Sequence, residues 1–259
     1  LPSCTSALEM ALMLANIKPN DEVVLPSYTF SSCATAVLMH GGVPVFVDSS
    51  TNDFNLHAND IEKSITRKTK VIMPMHYAGK GCEMNKIKKI AKKNNIIVIE
   101  DSAQAMGAYY GGALGGRFGK ASAFSCHPLK NLNALGDGGF LITDDDEVAK
   151  KVRLYRNHGI ESRDNVTMFG VNSRLDTLNA EVLKFRLKRL ESIIERRRLN
   201  VGLYKKYIKA RVINRKNYLE IYSDNIENPV FVRYAWSDTS TASLFNSEGL
   251  PASSFSTQN

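Results

Sequence analysis

The chain has 259 residues, 43% of them hydrophobic and 23% charged, a globular balance that excludes a disordered chain. That length fits one large domain, or a domain with a smaller appendage. The formal charge of +8 sits largely between Lys184 and Lys216, where Lys and Arg mix with apolar residues as on a solvated helix face; an anionic substrate fits it, and no nucleic-acid partner is expected.

In chain order, Ala7–Ala15 reads as a helix, followed by a turn at Lys18-Pro19-Asn20-Asp21 and a short strand, Val23–Leu25. Phe30–Met39 reads as a helix ended by Gly41-Gly42, and Val43–Val47 as a strand closed by Asp48. Lys70–Pro74 is another short apolar run, Met84–Lys93 a helix, and Ile96–Ile99 a buried strand running into Glu100-Asp101. Short apolar runs separated by helices predict an α/β fold with a mostly parallel sheet. Ligands in such sheets gather at the carboxyl ends of strands, where Asp48, His76 and Asp101 stand.

A Gly-rich loop, Gly111 to Gly119, leads to a strand at Ala121–Ser125. A Gly-Asp-Gly-Gly turn at 136–139 precedes a strand at Phe140–Thr143, and a helix runs from Asp145 to about His158. A long amphipathic pattern follows from Leu175 to about Lys209, with Leu178, Val182, Phe185, Leu187 and Leu190 as its apolar stripe. Beyond about Val212 the alternation stops; Tyr218–Tyr222 and Val230–Trp236 read as strands, and Asp238 to Asn259 is rich in Ser, Thr and Asn.

No run reaches the roughly 20 apolar residues that span a bilayer, so no membrane association is expected. The opening residues lack the basic and apolar regions of a signal peptide, and the abrupt opening suggests a natural start further upstream. Cys4, Cys33, Cys82 and Cys126 are widely spread, without a C-x-x-C pair or a Cys/His cluster. Neither a metal site nor a disulfide framework is expected, and a cytoplasmic location fits.

Four features share one possible chemistry. Lys130 lies in a Ser/His/Asn loop just beyond a buried strand, where partial desolvation favours a nucleophilic amine, although composition alone favours a surface loop lysine. Asp101 ends an apolar strand and faces the mouth of the sheet, or else caps a helix. Ser3-Cys4-Thr5-Ser6 precedes a helix, where hydroxyls and free N–H groups suit a phosphate or serve as an ordinary cap; Ser125 adds a hydroxyl. Phe30 offers a flat ring or a core side chain. Lysine, carboxylate, phosphate cradle and flat residue are what pyridoxal 5′-phosphate needs from a protein.

In order, Ser-Cys-Thr-Ser-Ala-Leu (3–8), Pro-Ser-Tyr-Thr-Phe (26–30), His-Tyr-Ala-Gly (76–79), Glu-Asp-Ser-Ala-Gln (100–104), Phe-Ser-x-His-x-x-Lys-Asn (124–131), Gly-Asp-Gly-Gly (136–139) and Gly-Val-Asn-Ser-Arg-Leu-Asp (170–176) resemble one family throughout. It is the DegT/DnrJ/EryC1/StrS family of sugar aminotransferases, with the aspartate aminotransferase-type fold (fold type I). The resemblance covers residues 1 to about 210. It implies Lys130 as the Schiff-base lysine and proton carrier, and Asp101 as partner of the pyridine nitrogen. It implies Gln104 and Phe30 against the ring, Cys4, Thr5 and Ser125 on the phosphate, and Asn172 on the phosphate of a neighbouring subunit in a homodimer. Tyr28, Thr29, His76 and His127 become pocket candidates. The implied reaction moves an amino group from an amino-acid donor, glutamate in the family, to a nucleotide-linked keto-sugar. Relatives with histidine at the lysine position are dehydratases, so Lys130 points to transamination.

Against the family pattern, Cys4 stands where glycine is usual before Thr5. The family's N-terminal segment and C-terminal small domain have no counterpart here. Residues 1–210 are thus expected to form an incomplete large domain and 211–259 a short β-rich tail. From about residue 216, the stretches Asn228–Trp236 and Leu244–Ser253 resemble the carboxyl end of sialate O-acetylesterases. An esterase needs a Ser-His-Asp-like set, and His158 is the last histidine, so the tail carries no hydrolytic set of its own. Together the resemblances imply an interrupted aminotransferase joined to an esterase remnant. Its activity is expected to be aminotransfer; the alternative is an inactive or cofactor-binding-only fragment.

Overall fold

A computed structural model describes residues 1–50, 53–204, 211–214, 219–222, 233–234 and 255–256, with side chains through residue 201. The chain divides into two compact units, Leu1–Arg197 and Arg198–Asn259.

In the first unit, helix α1 (Cys4–Leu14) is followed by β1 (Glu22–Pro26), α2 (Ser32–Met39), β2 (Val43–Val47), α3 (Ala58–Ser64), β3 (Thr69–Ile72), a 3-10 turn (Tyr77–Gly79), α4 (Met84–Asn94) and β4 (Ile97–Asp101). A small hairpin, β5 (Tyr109–Tyr110) with β6 (Ala113–Leu114), leads to β7 (Ala121–Ser125) and β8 (Gly139–Ile142). Then come α5 (Asp146–Tyr155), the short pair β9 (Ile160–Ser162) and β10 (Asn165–Val166), and helices α6 (Thr177–Leu187) and α7 (Leu190–Tyr204). Six strands form one sheet in the order β2-β1-β3-β4-β7-β8. All pair in parallel except β8, which runs antiparallel to β7.

Both faces of the sheet are covered, so its strands read as unbroken apolar runs instead of alternating ones. Val23, Leu25, Val71 and Ile99 point into a core with Leu8 and Leu12 of α1 and Val148 and Val152 of α5. Their neighbours Val24, Ile72 and Val98 point the other way, onto Ile61 of α3 and Ile87 of α4. Parallel pairing places the loops that follow β2, β1, β3, β4 and β7 at one end of the sheet.

Helix ends follow local chemistry. Ser3 caps α1 through its hydroxyl, which accepts from Ser6 N–H at 3.1 Å, and Asp145 caps α5 by accepting from Glu147 and Val148 N–H. Asn95, at φ 55°, closes α4 in the left-handed conformation that asparagine tolerates.

One element is absent from the sequence reading and one expectation needs correction. The short helix α3 has only Ala58 and Ile61 buried, too little apolar periodicity to stand out in the sequence. The amphipathic pattern after Leu175 is two helices, broken at Lys188-Arg189, and of its proposed stripe only Leu190 packs against a core cluster. Leu178, Phe185 and Leu187 are 79%, 63% and 55% exposed; Leu183 is the buried contact of α6, against Cys126, Leu132 and Ala134.

In the second unit the described residues pair as antiparallel ribbons, β11 (Arg211–Asn214) with β12 (Leu219–Tyr222) and β13 (Arg233–Tyr234) with β14 (Phe255–Ser256). The stretch 244–253 that carries part of the esterase resemblance lies outside the described residues, as does most of 228–236. Among the described residues, no helix is long and apolar enough to cross a membrane.

Candidate active site

The carboxyl ends of β1, β3, β4 and β7 release the loops that hold most of the sequence-predicted site residues. Asp101 is the last residue of β4 and is 3% exposed. Its backbone is pinned on one side by Pro74 O, which accepts its N–H at 2.9 Å, and on the other by register with Ala123 of β7. Its carboxylate accepts the Ala103 N–H on Oδ1 at 2.9 Å and the Cys33 thiol on Oδ2 at 3.0 Å. The carboxylate is thus held in one plane with acceptor capacity to spare.

Helix α1 begins beside it. Cys4 and Thr5 are its first residues, so their N–H groups precede the first intrahelical bond, and the Thr5 hydroxyl has no hydrogen-bond partner among the described residues. The approach of this helix to the sheet depends on Gly139: a Cβ there would lie 2.5 Å from Ser3 C and 2.6 Å from Cys4 N. Because Cys4 has helical backbone, the position does not require the glycine that the family pattern favours. Burial pushes the Cys4 thiol well up, nearby Asp101 adds to this, and Lys130 pulls the other way. The thiol therefore stays neutral.

Lys130 follows β7 in the loop that Ser125 begins. Its backbone N–H donates to His127 O at 2.8 Å; the residue is half-buried and its ammonium makes no hydrogen bond or ion pair among the described residues. Ser125 is 8% exposed and its hydroxyl accepts from His127 N–H at 3.3 Å. Gln104 stands after β4 with its Oε1 accepting from Ala78 N–H at 2.6 Å, which ties the loop after β3 to the loop after β4. Phe30 is 75% exposed, at the end of the loop after β1. Asn172 makes its bonds elsewhere: its Oδ1 accepts from Arg174 Nε at 3.1 Å, and its backbone bridges to Asn157.

His76 departs from the pocket role expected for it. It is fully buried, with Nε2 2.9 Å from Glu100 Oε2 and Nδ1 accepting from Cys82 N–H at 3.2 Å. Its ring faces Tyr110, and it serves the core behind the site.

Sequence reasoning missed three contributors. Cys33 carries the thiol on Asp101. Asn55 is 2% exposed; its Oδ1 accepts from Tyr77 N–H and its Nδ2 donates to Lys80 O, both at 3.0 Å, fixing the 76–80 turn. Phe54 joins Tyr28 and Tyr77 in a trio of rings 5.2–5.3 Å apart. The Asp53–Asn55 turn was the legible signal, since Asx side chains bind backbone two residues on.

The donor set fits pyridoxal phosphate. Free helix N–H groups and the Thr5 and Ser125 hydroxyls suit a phosphate, Asp101 suits a protonated ring nitrogen, and Lys130 supplies an unpaired amine. Among the described residues, no group of three or more His, Cys, Asp or Glu side chains could hold a metal.

Together the mostly parallel sheet and these loops define a fold type I α/β protein. The chain belongs to the DegT/DnrJ/EryC1/StrS aminotransferase family, whose model matches residues 1–233, beyond the limit of about 210 expected from the motifs. It is 39% identical over 208 residues to the pleiotropic regulatory protein of Geobacillus stearothermophilus, covering 80% of this chain and 56% of the relative. It is 41% identical over 206 residues to the UDP-N-acetyl-3-dehydro-alpha-D-glucosamine 3-aminotransferase of Acidithiobacillus ferrooxidans, with the same coverage of 80% and 56%. Among solved structures, DesV of S. venezuelae, in complex with a ketimine intermediate, superposes with a TM-score of 0.71 at 38% identity, covering 74% of this chain and 52% of that one. The chain thus spans a little over half the length of the curated relatives it matches.

Proposed function

We propose that this chain is the large-domain portion of a pyridoxal-phosphate-dependent aminotransferase that moves an amino group from an amino-acid donor, glutamate by family resemblance, to a nucleotide-linked keto-sugar. The observation that supports this most is the placement of the buried Asp101 carboxylate at the end of β4, in register with β7, whose following loop carries Lys130, while Gly139 of the adjoining β8 abuts the start of α1. The bound cofactor supplies an electron sink for the carbon that loses its proton.

The chain's own residues divide the remaining work. The N–H groups of Cys4 and Thr5 and the hydroxyls of Thr5 and Ser125 bind the phosphate. Asp101, buried and doubly held, keeps a proton on the ring nitrogen. Phe30 and Gln104 orient the ring from opposite faces. Lys130 Nζ takes the substrate proton and returns it. Asn172, whose bonds lie away from this cluster, fits the role of reaching the phosphate of a neighbouring subunit, so the working form is a homodimer in the cytoplasm. Residues from about 216 onward are read as the remnant of an esterase carboxyl end, without a hydrolytic set.

A second reading, cofactor binding without turnover, is favoured by the exposed apolar residues of α6, Leu178 and Phe185, whose surface asks for a cover. Both readings are tested by adding pyridoxal phosphate to the purified protein and recording visible absorbance before and after borohydride reduction. A band trapped on the peptide bearing Lys130 supports the shared cofactor role. Amino transfer from glutamate to a nucleotide keto-sugar, by a species of dimer size, then favours the enzyme. A folded protein without the band overturns both.

A further inference from the structure

We propose that Thr29 and Cys33 form a donor relay that positions the Asp101 carboxylate, making Cys33 a positioning residue for the pyridine-nitrogen partner. The inference rests on the reading of Asp101 given above and adds to it the group that fixes its geometry.

Cys33 lies in the first turn of α2 and is fully buried, 68 residues from Asp101 in sequence. A thiol has one proton to give. Here Thr29 Oγ1 donates to Cys33 Sγ at 3.2 Å, and Cys33 Sγ donates to Asp101 Oδ2 at 3.0 Å. The Thr29 hydroxyl occupies a sulfur lone pair and so leaves the S–H vector aimed at the carboxylate. With Ala103 N–H on Oδ1, the two carboxylate oxygens are held from two different elements, α2 and the turn after β4. Rotation of the carboxyl about its Cβ–Cγ bond would break both contacts. The orbitals left free on Oδ1 and Oδ2 are therefore fixed in direction, as outer-shell donors fix the ligands of a metal.

Chemistry suits the thiol to this task. Burial and the facing Asp101 both push the Cys33 thiol up, so it remains a donor through the working pH range. A thiol is also a weaker donor than a hydroxyl or an N–H. It orients the carboxylate without neutralising it, leaving the charge for the cationic ring. The relay further joins Asp101 to Thr29, the residue before Phe30.

The test uses the full chain with Cys33→Ala, Cys33→Ser, Thr29→Val and Asp101→Asn variants and two readouts. The first needs no cofactor: the Raman S–H stretch of Cys33, isolated as the difference between wild type and Cys33→Ala. It is expected to move to higher frequency in Asp101→Asn and in Thr29→Val, as a donor bond weakens. The second is the dissociation constant of pyridoxal phosphate. It is expected to weaken by about tenfold in Cys33→Ala, the low end for a hydrogen bond to a charged group, and to return to within about threefold of wild type in Cys33→Ser. Thermal midpoints of the Ala and Ser variants are compared as a control; Thr29→Val, outside the core, reports on the relay if Cys33 variants fail to fold. An S–H band unmoved by Asp101→Asn overturns the relay, as does equal affinity in Cys33→Ala and wild type. If wild type binds no pyridoxal phosphate, the cofactor reading falls, and the S–H band alone decides the contact.

Discussion

His76 Nε2 sits 2.9 Å from Glu100 Oε2 with both side chains at zero exposure, and Glu100 accepts three backbone N–H groups besides: Gly116 at 3.2 Å, Phe118 at 2.8 Å and Gly119 at 2.6 Å. A buried carboxylate survives only when its lone pairs are filled, and here four donors fill them. His76 accepts from Cys82 N–H through Nδ1, so its proton lies on Nε2, toward Glu100. The pair ties the Gly-rich loop and the turn after β3 to the strand that ends in Asp101. Glu100→Gln replaces one acceptor oxygen by a donor that faces the Gly116 N–H and the imidazole N–H. The expected loss is about 3–5 kcal/mol of unfolding free energy, measured by urea denaturation. A loss under about 1 kcal/mol would show that the cluster is not holding the loops.

Lys130→Ala is expected to do the opposite, removing function without stability. The ammonium makes no hydrogen bond or ion pair among the described residues, so the unfolding free energy should stay within about 0.5 kcal/mol of wild type. Visible absorbance with pyridoxal phosphate, borohydride trapping and turnover should all vanish. Retained turnover in this variant would remove Lys130 from the proposed chemistry.

Gly139→Ala tests how the phosphate cradle is held. The added methyl would sit 2.5–2.6 Å from backbone atoms of Ser3 and Cys4, which cannot swing aside as the end of a flexible side chain would. Overpacking of this kind costs about 1–3 kcal/mol. The variant should also bind inorganic phosphate and pyridoxal phosphate more weakly, because the displaced atoms include the Cys4 N–H. Calorimetric binding unchanged beside a lowered melting point would place the phosphate elsewhere.

The sheet was legible because its central strands are buried on both faces: Ala121–Ser125 matches its expected limits, β1 and β4 fall within a residue or two, and the partly exposed edge strand Val43–Val47 was still marked by its apolar run. Motif residues at strand ends, Asp101 and Ser125, were legible for the same reason. Contacts set by tertiary approach were not. Nothing local marks Cys33 as the donor to a carboxylate 68 residues away, or turns His76 inward to Glu100. The α6 stripe failed differently. Leu178, Phe185 and Leu187 have the spacing of a core face, but the packing surface offered by Cys126, Leu132 and Ala134 meets Leu183 instead. Periodicity states that a helix has an apolar side, not that a neighbour covers it.

Alkaline stability follows from the thiols and one phenol. Burial is the leading cause that pushes Cys126 up to about 11, Cys82 up to about 12, and Cys4, Cys33 and Tyr110 up as well. Each group is neutral in the folded chain, so its folded value lies above its unfolded one of about 8.5 for Cys and about 10 for Tyr. Above those unfolded values the unfolded chain sheds protons that the folded chain retains, and stability falls as pH rises. The contribution is complete below about pH 8 and is lost progressively toward the folded values. In reductant, the melting midpoint should therefore be level near neutrality and decline from about pH 9 upward. Cys82→Ala and Cys126→Ala should each flatten part of that decline, at the cost of a cavity at all pH values. A midpoint that holds level to pH 11 would mean that these thiols ionise as readily in the folded chain as in the unfolded one, and that the packing around Asp101 is looser than its hydrogen bonds indicate.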